Sequence, residues 1–267
     1  MDLLRPLQTE PAPAVTPGHY AQKQLLSRSR LVRWSHGSRF TLARELVAPF
    51  AGKRLLDYGC GDGTFLALAR ALFPATVGVD VDGDQIADCA VRFASVPGVA
   101  FFTTDRLAAP IHAGRYDVVV CMEVLEHCPD DVQPLVLDRI RDVTAPRGTV
   151  VISVPIEIGL PLVAKQTARA LIALTGRREY AARERYRLHE LVRMMTAGPG
   201  TVFPRVEHVG GAGGARTMRF TGHKGFNWRA LEKAIAARFA IERRLFSPMP
   251  IFGALLNSQV WFVCRRP

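Results

Sequence analysis

Residues 55–64 read Leu-Leu-Asp-Tyr-Gly-Cys-Gly-Asp-Gly-Thr. The apolar pair and the acid after it have the character of a strand end, the alternating glycines that of a tight turn, and Thr64 to Leu72 that of a helix. Glycine adopts positive φ without steric cost and lets a backbone approach a ligand closely, and ligands in open α/β sheets collect outside the carboxyl ends of the strands. The stretch therefore predicts a βα unit with a ligand against its turn.

The same rhythm runs on. Arg54 to Asp57, Thr76 to Asp80, Val99 to Thr103, Tyr116 to Cys121 and the β-branched Thr149 to Val154 read as strands. Thr64 to Leu72, Asp84 to Phe93 and about Asp131 to Val143 read as the helices between them. Five such strands predict a parallel sheet. Ahead of them, the Pro-rich residues 1–18 read as a flexible tail, and Phe40, Ala43, Leu46 and Val47 predict a helix between about Tyr20 and Phe50. After Pro155 the rhythm breaks. Residues 156–221 read as an insertion, and a helix from Asn227 to Arg238 with strands Phe239 to Phe246 and Gln259 to Arg265 completes a domain spanning 19–267.

At 267 residues and 48% hydrophobic, the chain carries enough apolar side chains for one sizeable core. Its five cysteines, Cys60, Cys89, Cys121, Cys128 and Cys264, form no C-x-x-C, so neither a disulfide framework nor a zinc knuckle is expected. No run reaches the roughly 18 apolar residues of a membrane span, and the N-terminus lacks a signal peptide's apolar stretch, so a cytoplasmic protein is expected. Lys165 to Arg244 holds 17 basic and 6 acidic residues, an excess of 11 that equals the net charge of the whole chain. The remainder balances, so the positive field belongs to the insertion and the helix after it.

A dinucleotide fingerprint needs G-x-G-x-x-G/A, but here the third glycine, Gly63, comes one position early. Asp57 would repel a diphosphate and attract the ammonium and sulfonium of S-adenosylmethionine. With its acid followed by Gly59, Gly61 and Gly63, the segment resembles the first motif of the class I S-adenosylmethionine-dependent methyltransferases, over about Arg39 to Pro155. The resemblance implies a doubly wound α/β sheet of about seven strands, the first five parallel and one of the last two reversed. It also implies S-adenosylmethionine as cofactor, with Asp57, Gly59 and Gly61 against it.

Further positions carry the likeness. Asp80 ends the second strand, where the family's acid accepts from both ribose hydroxyls, and Asp105 follows the third, where an acid accepts from the adenine amino group. Met122 to His127, Met-Glu-Val-Leu-Glu-His, resembles the M-E-x-L-E-H segment of the ubiquinone-biosynthesis O-methyltransferases. There the methionine position sits against the cofactor, and an upstream arginine, here Arg39, meets its carboxylate. The spacing of Glu123, Glu126 and His127 brings all three onto one face if the segment is helical. Two chemistries stand side by side: a divalent cation held by the cluster, or His127 as general base for an acceptor hydroxyl.

The insertion departs from the ubiquinone enzymes, so the acceptor does not follow from the resemblance; a small or lipid-linked molecule is expected. Leu160, Val163, Ala164, Thr167, Leu171 and Leu174 form an apolar helical face with Lys165 and Arg169 opposite. That face either packs on the sheet or lies at an anionic membrane surface, helped by Arg177 and Arg178. An RNA substrate is suggested by the basic charge but opposed by the scarcity of interleaved aromatics, only Tyr180 and Tyr186. A noncatalytic cofactor-binding subunit is the rival outside catalysis. Gly210 to Gly214 reads as a flexible loop, and Gly222 to Asn227 as a helix entry capped by Asn227 that either stops there or turns His223 and Lys224 toward the acceptor.

Overall fold

The computed structural model describes residues 15–174, 186–211 and 217–267. Seven strands form one sheet: β1 (Arg54–Tyr58), β2 (Ala75–Asp80), β3 (Val99–Thr103), β4 (Tyr116–Met122), β5 (Thr144–Pro155), β8 (Ala240–Ser247) and β9 (Gln259–Arg265), in the order β3-β2-β1-β4-β5-β9-β8. The first five pair in parallel and β9 is antiparallel to both β5 and β8, so β9 is the reversed strand. The remaining two strands, β6 (Glu207–Gly211) and β7 (Thr217–Thr221), make a separate antiparallel hairpin.

Because successive side chains along a strand face opposite ways, the consecutive apolar pairs build two cores. Leu55, Val118, Val120, Val151 and Trp261 meet α1 (Arg30–Val47) and α2 (Thr64–Ala69) through Phe40, Ala43, Val47, Phe65 and Leu68. Leu56, Val119, Val150, Ile152 and Phe262 meet α4 (Gln133–Val143) and α7 (Trp228–Ala236) through Leu137, Ile140, Leu231 and Ile235. The switch in strand order lies between β1 and β4, which places the glycine-rich turn and the end of β4 side by side. The helix α3 (Gly83–Arg92) starts from Asp82, whose side chain accepts from the Asp84 and Gln85 amides, and α7 starts from Asn227 as expected, accepting from the Arg229 amide.

Three expectations are corrected. Packing extends into the expected tail: Val15 is buried with Ala21 and Leu25 against the α1 side of the core. Gly210 and Gly211 belong to β6 rather than to a loop; residues 212–214 lie outside the described part. The helix α5 (Leu160–Leu174) has the expected bounds but is rotated: Leu162 is buried, whereas Leu160, Ala164 and Thr167 are exposed. Lys165, expected outside, turns inward and donates to the Ile156 carbonyl and to Glu157 Oε1, both at 3.0 Å. A carboxylate buried at the end of β5 demands a counter-charge, and that demand outranks the apolar stripe. The expectation for Arg169, Leu171 and Leu174 lies outside the described side chains, and that for Arg177 and Arg178 outside the described residues. A short helix that periodicity did not reveal, α6 (Leu188–Met195), contacts α5.

Candidate active site

The turn after β1 is built to let another molecule reach backbone. Gly59 and Gly61 have φ of 79° and 51°, and a Cβ on Gly59 would overlap the Val124 side chain. The Gly59 and Cys60 amides donate to the Val79 carbonyl at 2.7 and 2.9 Å, tying the turn to β2.

Two adjoining clefts open at the carboxyl ends of the strands, sharing Gly59, Gly61 and Glu123 as walls. The first, about 200 Å3, is lined by Tyr20, Arg39, Asp57, Asp62, Gln85 and Met122 among others. The second, about 400 Å3 and mostly apolar, is lined by Asp80, Val81, Thr104, Val124, His127 and Val136, with Met218 and Phe220 of β7. The structure thus gathers Arg39, Asp57, Gly59, Gly61, Asp80, Met122 and His127 around one continuous depression. Asp105 does not line it; it is exposed in the turn one residue past Thr104.

The first cleft is electronegative. Asp57 is 2% exposed, and burial, then the neighbouring Asp80 and Asp62, push its carboxyl up to about 8. Asp80 accepts from the Gly61 amide at 2.9 Å and from the Asp82 amide at 3.0 Å, so one side chain braces the glycine turn and the start of α3. Arg39 is the cation in this cleft, paired with Glu123 at 3.2 Å.

Glu123, Glu126 and His127 do not share one helical face. Glu123 has φ of 56° and sits in the turn before a single 3-10 turn, Leu125–His127, so it is directed to Arg39 while Glu126 and His127 go elsewhere. In its place comes His223, from the entry to α7. Its Nε2 lies 3.3 Å from His127 Nε2, and Glu126, His127 and His223 offer ligand atoms within 4.8 Å of one another. His127 Nδ1 is 3.1 Å from the Thr221 carbonyl, which can only accept, so Nδ1 carries the proton and Nε2 presents a lone pair. His223 Nδ1 is 3.3 Å from Glu157 Oε1, which can only accept, so that nitrogen donates there. Glu126 is fully buried with neither carboxylate oxygen partnered, and burial, then Glu123, raises its carboxyl well above the usual range. Burial and then His223 lower His127, which is neutral at pH 7. Burial works to raise Glu157, but Lys165 and His223 outweigh it and hold the carboxyl at about 2.

The insertion closes over these residues. Arg205 donates to the carbonyls of Glu126, Cys128 and Gly222, and Thr221 Oγ1 donates to the Glu126 carbonyl at 3.1 Å. Arg219 of β7 pairs with Asp131 at 3.0 Å and Glu207 at 2.8 Å. Part of the basic excess seen in the sequence is matched by acids outside that stretch: Lys165 with Glu157, Arg205 with Asp130, Arg219 with Asp131 and Arg238 with Asp138.

A family model described as a methyltransferase domain matches residues 33–197. The chain belongs to this methyltransferase-domain family. The ubiquinone biosynthesis O-methyltransferase of Bordetella avium is 37% identical over 94 residues, 33% of this chain and 37% of that protein, so the likeness spans little more than a third of the relative. A protein of Pyrococcus horikoshii OT3 superposes with a TM-score of 0.56 at 16% identity, covering 94% of this chain and 100% of that one. The N-methyltransferase NodS from Bradyrhizobium japonicum, in complex with S-adenosyl-L-homocysteine, superposes with a TM-score of 0.53 at 15% identity over 99% of this chain and 96% of its own. These structures share the seven-stranded methyltransferase fold. The matched stretch of the methyltransferase domain contains Arg39, Asp57, Asp80, Met122, His127 and Glu157, but His223 lies beyond it.

Sequence reasoning did not find Tyr20, Glu157 or the β7 wall. For Glu157 a signal existed: an acid set between Ile156 and Ile158 directly after an apolar strand.

Proposed function

We propose that this methyltransferase domain uses S-adenosylmethionine to methylate an oxygen of a small or lipid-linked acceptor. The observation that carries the reading is the paired cleft divided by Gly59 and Gly61, with buried acids on its methionine side and Asp80 with an apolar wall on its adenosine side. A cationic ligand relieves the crowding of Asp57, Asp62 and Asp80, whereas a diphosphate would worsen it. Arg39 holds the ligand's carboxylate, Asp57 faces its positive end, Asp80 takes the ribose hydroxyls and Met122 packs on it.

When bound, S-adenosylmethionine supplies an electrophilic methyl on a positively charged sulfur. The protein's task is alignment, which contributes about 7–11 kcal/mol, and removal of the acceptor's proton. His127 is placed for the second. Its Nδ1–H is fixed on Thr221, so Nε2, which lies 3.3 Å from His223 Nε2 at the rim of the cleft, is the nitrogen placed to take a proton. A noncatalytic role is disfavoured by the presence of that oriented base.

A divalent cation is a second reading, favoured by one observation: the Nε2 atoms of His127 and His223 lie 3.3 Å apart beside the buried Glu126 carboxylate, whose oxygens have no hydrogen-bond partner. Glu126, His127 and His223 fit such an ion, which would polarise an acceptor oxygen. Isothermal titration with Mg2+ or Mn2+ tests it directly, and loss of activity in EDTA restored by Mg2+ supports it.

A lipid-linked acceptor is supported by exposed apolar side chains on α5 and the turn that it contacts. Leu160 is 50% exposed, and that turn, Pro250–Leu255, exposes Ile251 at 88%. Among the described residues no helix is long and apolar enough to cross a membrane. Peripheral contact with an anionic surface is thus the form such an association takes. Transfer of labelled methyl from S-adenosylmethionine into separated small-molecule, lipid and RNA fractions decides the acceptor class. Label in RNA alone would refute the reading.

A further inference from the structure

The segment ahead of α1 is fastened to the glycine-rich turn. The Tyr20 and Ala21 amides both donate to Asp62 Oδ2, at 2.8 and 3.3 Å, and Gly18 lies so close to that carboxylate that a Cβ would overlap it. Asp62 Oδ1 meanwhile accepts from the Thr64 amide at 3.1 Å, so one side chain holds both the start of α2 and the N-terminal segment. Arg92 adds a second fastening, donating to the carbonyls of Thr16 at 3.3 Å and Asp62 at 2.6 Å.

This fastening delivers the Tyr20 side chain to the wall of the first cleft. Its ring is held edge-on between His36 and Phe40, with centroids 5.8 and 5.9 Å away. The direction of its hydroxyl follows from its partners. Arg39 Nη1, 3.3 Å away, can only donate, so the tyrosine oxygen accepts there. The hydroxyl proton then goes to His36 Nδ1 at 2.8 Å, an available acceptor because burial, then Arg39, lowers His36 to about 4 and keeps it neutral. A hydroxyl oxygen has two lone pairs and Arg39 uses one. The other is left for a cleft whose polar walls also include the acids Asp57, Asp62 and Glu123, with Thr64 and Gln85.

We propose that Tyr20 is a cofactor-binding residue whose hydroxyl oxygen accepts a hydrogen bond from the α-ammonium of S-adenosylmethionine. The inference rests on the cofactor reading above, in which Arg39 takes the α-carboxylate. Carboxylate and ammonium share one carbon in an α-amino acid, so a ligand seated on Arg39 carries its ammonium to the acceptors beside that guanidinium. Tyr20 Oη is such an acceptor, and it is already aligned by His36.

Calorimetric titration of wild type and Tyr20→Phe with S-adenosylmethionine, S-adenosylhomocysteine and 5′-methylthioadenosine, which lacks the amino-acid end, tests this. Loss of a hydrogen bond to a charged group weakens binding by about tenfold. The expected result is that loss for the first two ligands alike, unchanged binding of methylthioadenosine, and only a small fall in melting temperature, because the ring contacts remain while His36 and Arg39 each lose one hydrogen bond. Equal weakening of all three would overturn the proposal by showing that Tyr20 merely shapes the cleft, and so would unchanged binding of all three. Weakening of S-adenosylmethionine alone would overturn it by placing the oxygen at the sulfonium. A wild type that binds none of them refutes the cofactor reading itself, a result distinct from any effect of the substitution.

Discussion

Gly61 donates its amide hydrogen to Asp80 Oδ2 at 2.9 Å, joining the turn after β1 to the end of β2. The acid proposed to take the ribose therefore also sets the shape of the glycine-rich loop. Asp80→Ala should lower the affinity for S-adenosylmethionine by at least tenfold and also lower the melting temperature, because the Gly61 and Asp82 amides lose an acceptor. Asp80→Asn retains one acceptor oxygen and should recover part of the stability. Calorimetry with thermal unfolding measures both.

The raised carboxyl of Asp57 gives a pH signature. At about 8 it is largely protonated in the free protein at neutral pH, and a cation seated beside it draws that proton off. Binding of S-adenosylmethionine should release protons between pH 6 and 8, and affinity should rise over that interval. Titrations in two buffers of different ionisation enthalpy read the release. Folding carries the opposite sign: the folded chain keeps this proton to higher pH than the unfolded one, so stability from this group is full below its ordinary range and is lost as pH rises through about 8. Asp57→Asn should flatten both dependences.

For Gly59 the outcome is steric. With φ of 79° and Val124 against its Cα, Gly59→Ala adds strain of about 1–3 kcal/mol and drives apart the turn and the end of β4. Cofactor binding should be lost at temperatures where circular dichroism still reports a folded protein.

His127→Ala should lower turnover by about 10²–10⁴ while leaving S-adenosylmethionine affinity within about twofold. Single-turnover methyl transfer and calorimetry separate the two. An affinity loss as large as the rate loss would place His127 in the cofactor site rather than at the acceptor.

The exposed positions of α5 and the turn before β9 make the membrane contact testable without harming the core. Leu160→Glu and Ile251→Glu should leave the melting temperature unchanged, since both side chains already face solvent, and should abolish cosedimentation with anionic vesicles at low salt. Wild type that fails to bind such vesicles removes the support for a surface-bound acceptor.

The sheet was legible because its signals are local. Strand, acid, glycine turn and helix follow one another within ten residues from Leu55, and Val99 to Thr103 appears with the bounds read from its composition. The site was legible where one short motif contributes one wall, as with Asp57, Asp80 and Met122. What escaped depends on contacts between distant segments. Glu123 leaves the expected face because Arg39, on a helix that precedes the whole sheet, draws it away, and His223 enters from 96 residues beyond His127. Rotation of α5 had the same origin, since no periodicity encodes that Glu157 is buried and must find Lys165. The excess charge of Lys165 to Arg244 also misled as a total, because Arg205, Arg219 and Arg238 each have carboxylates waiting outside that stretch.

The carbonyl of Thr221 holds the His127 ring in register, and Thr221 ends the segment 156–221 expected to roof the acceptor. On the proposed function, specificity and reactivity are therefore not separate modules in this chain. A chimera that exchanged residues 156–221 for the roof of another methyltransferase would import a new acceptor pocket and at the same time release His127 to flip. Re-engineering the acceptor by grafting thus has a minimum unit: the new roof must end in a backbone oxygen at the same place, or the transplanted enzyme will bind its new substrate and turn it over slowly.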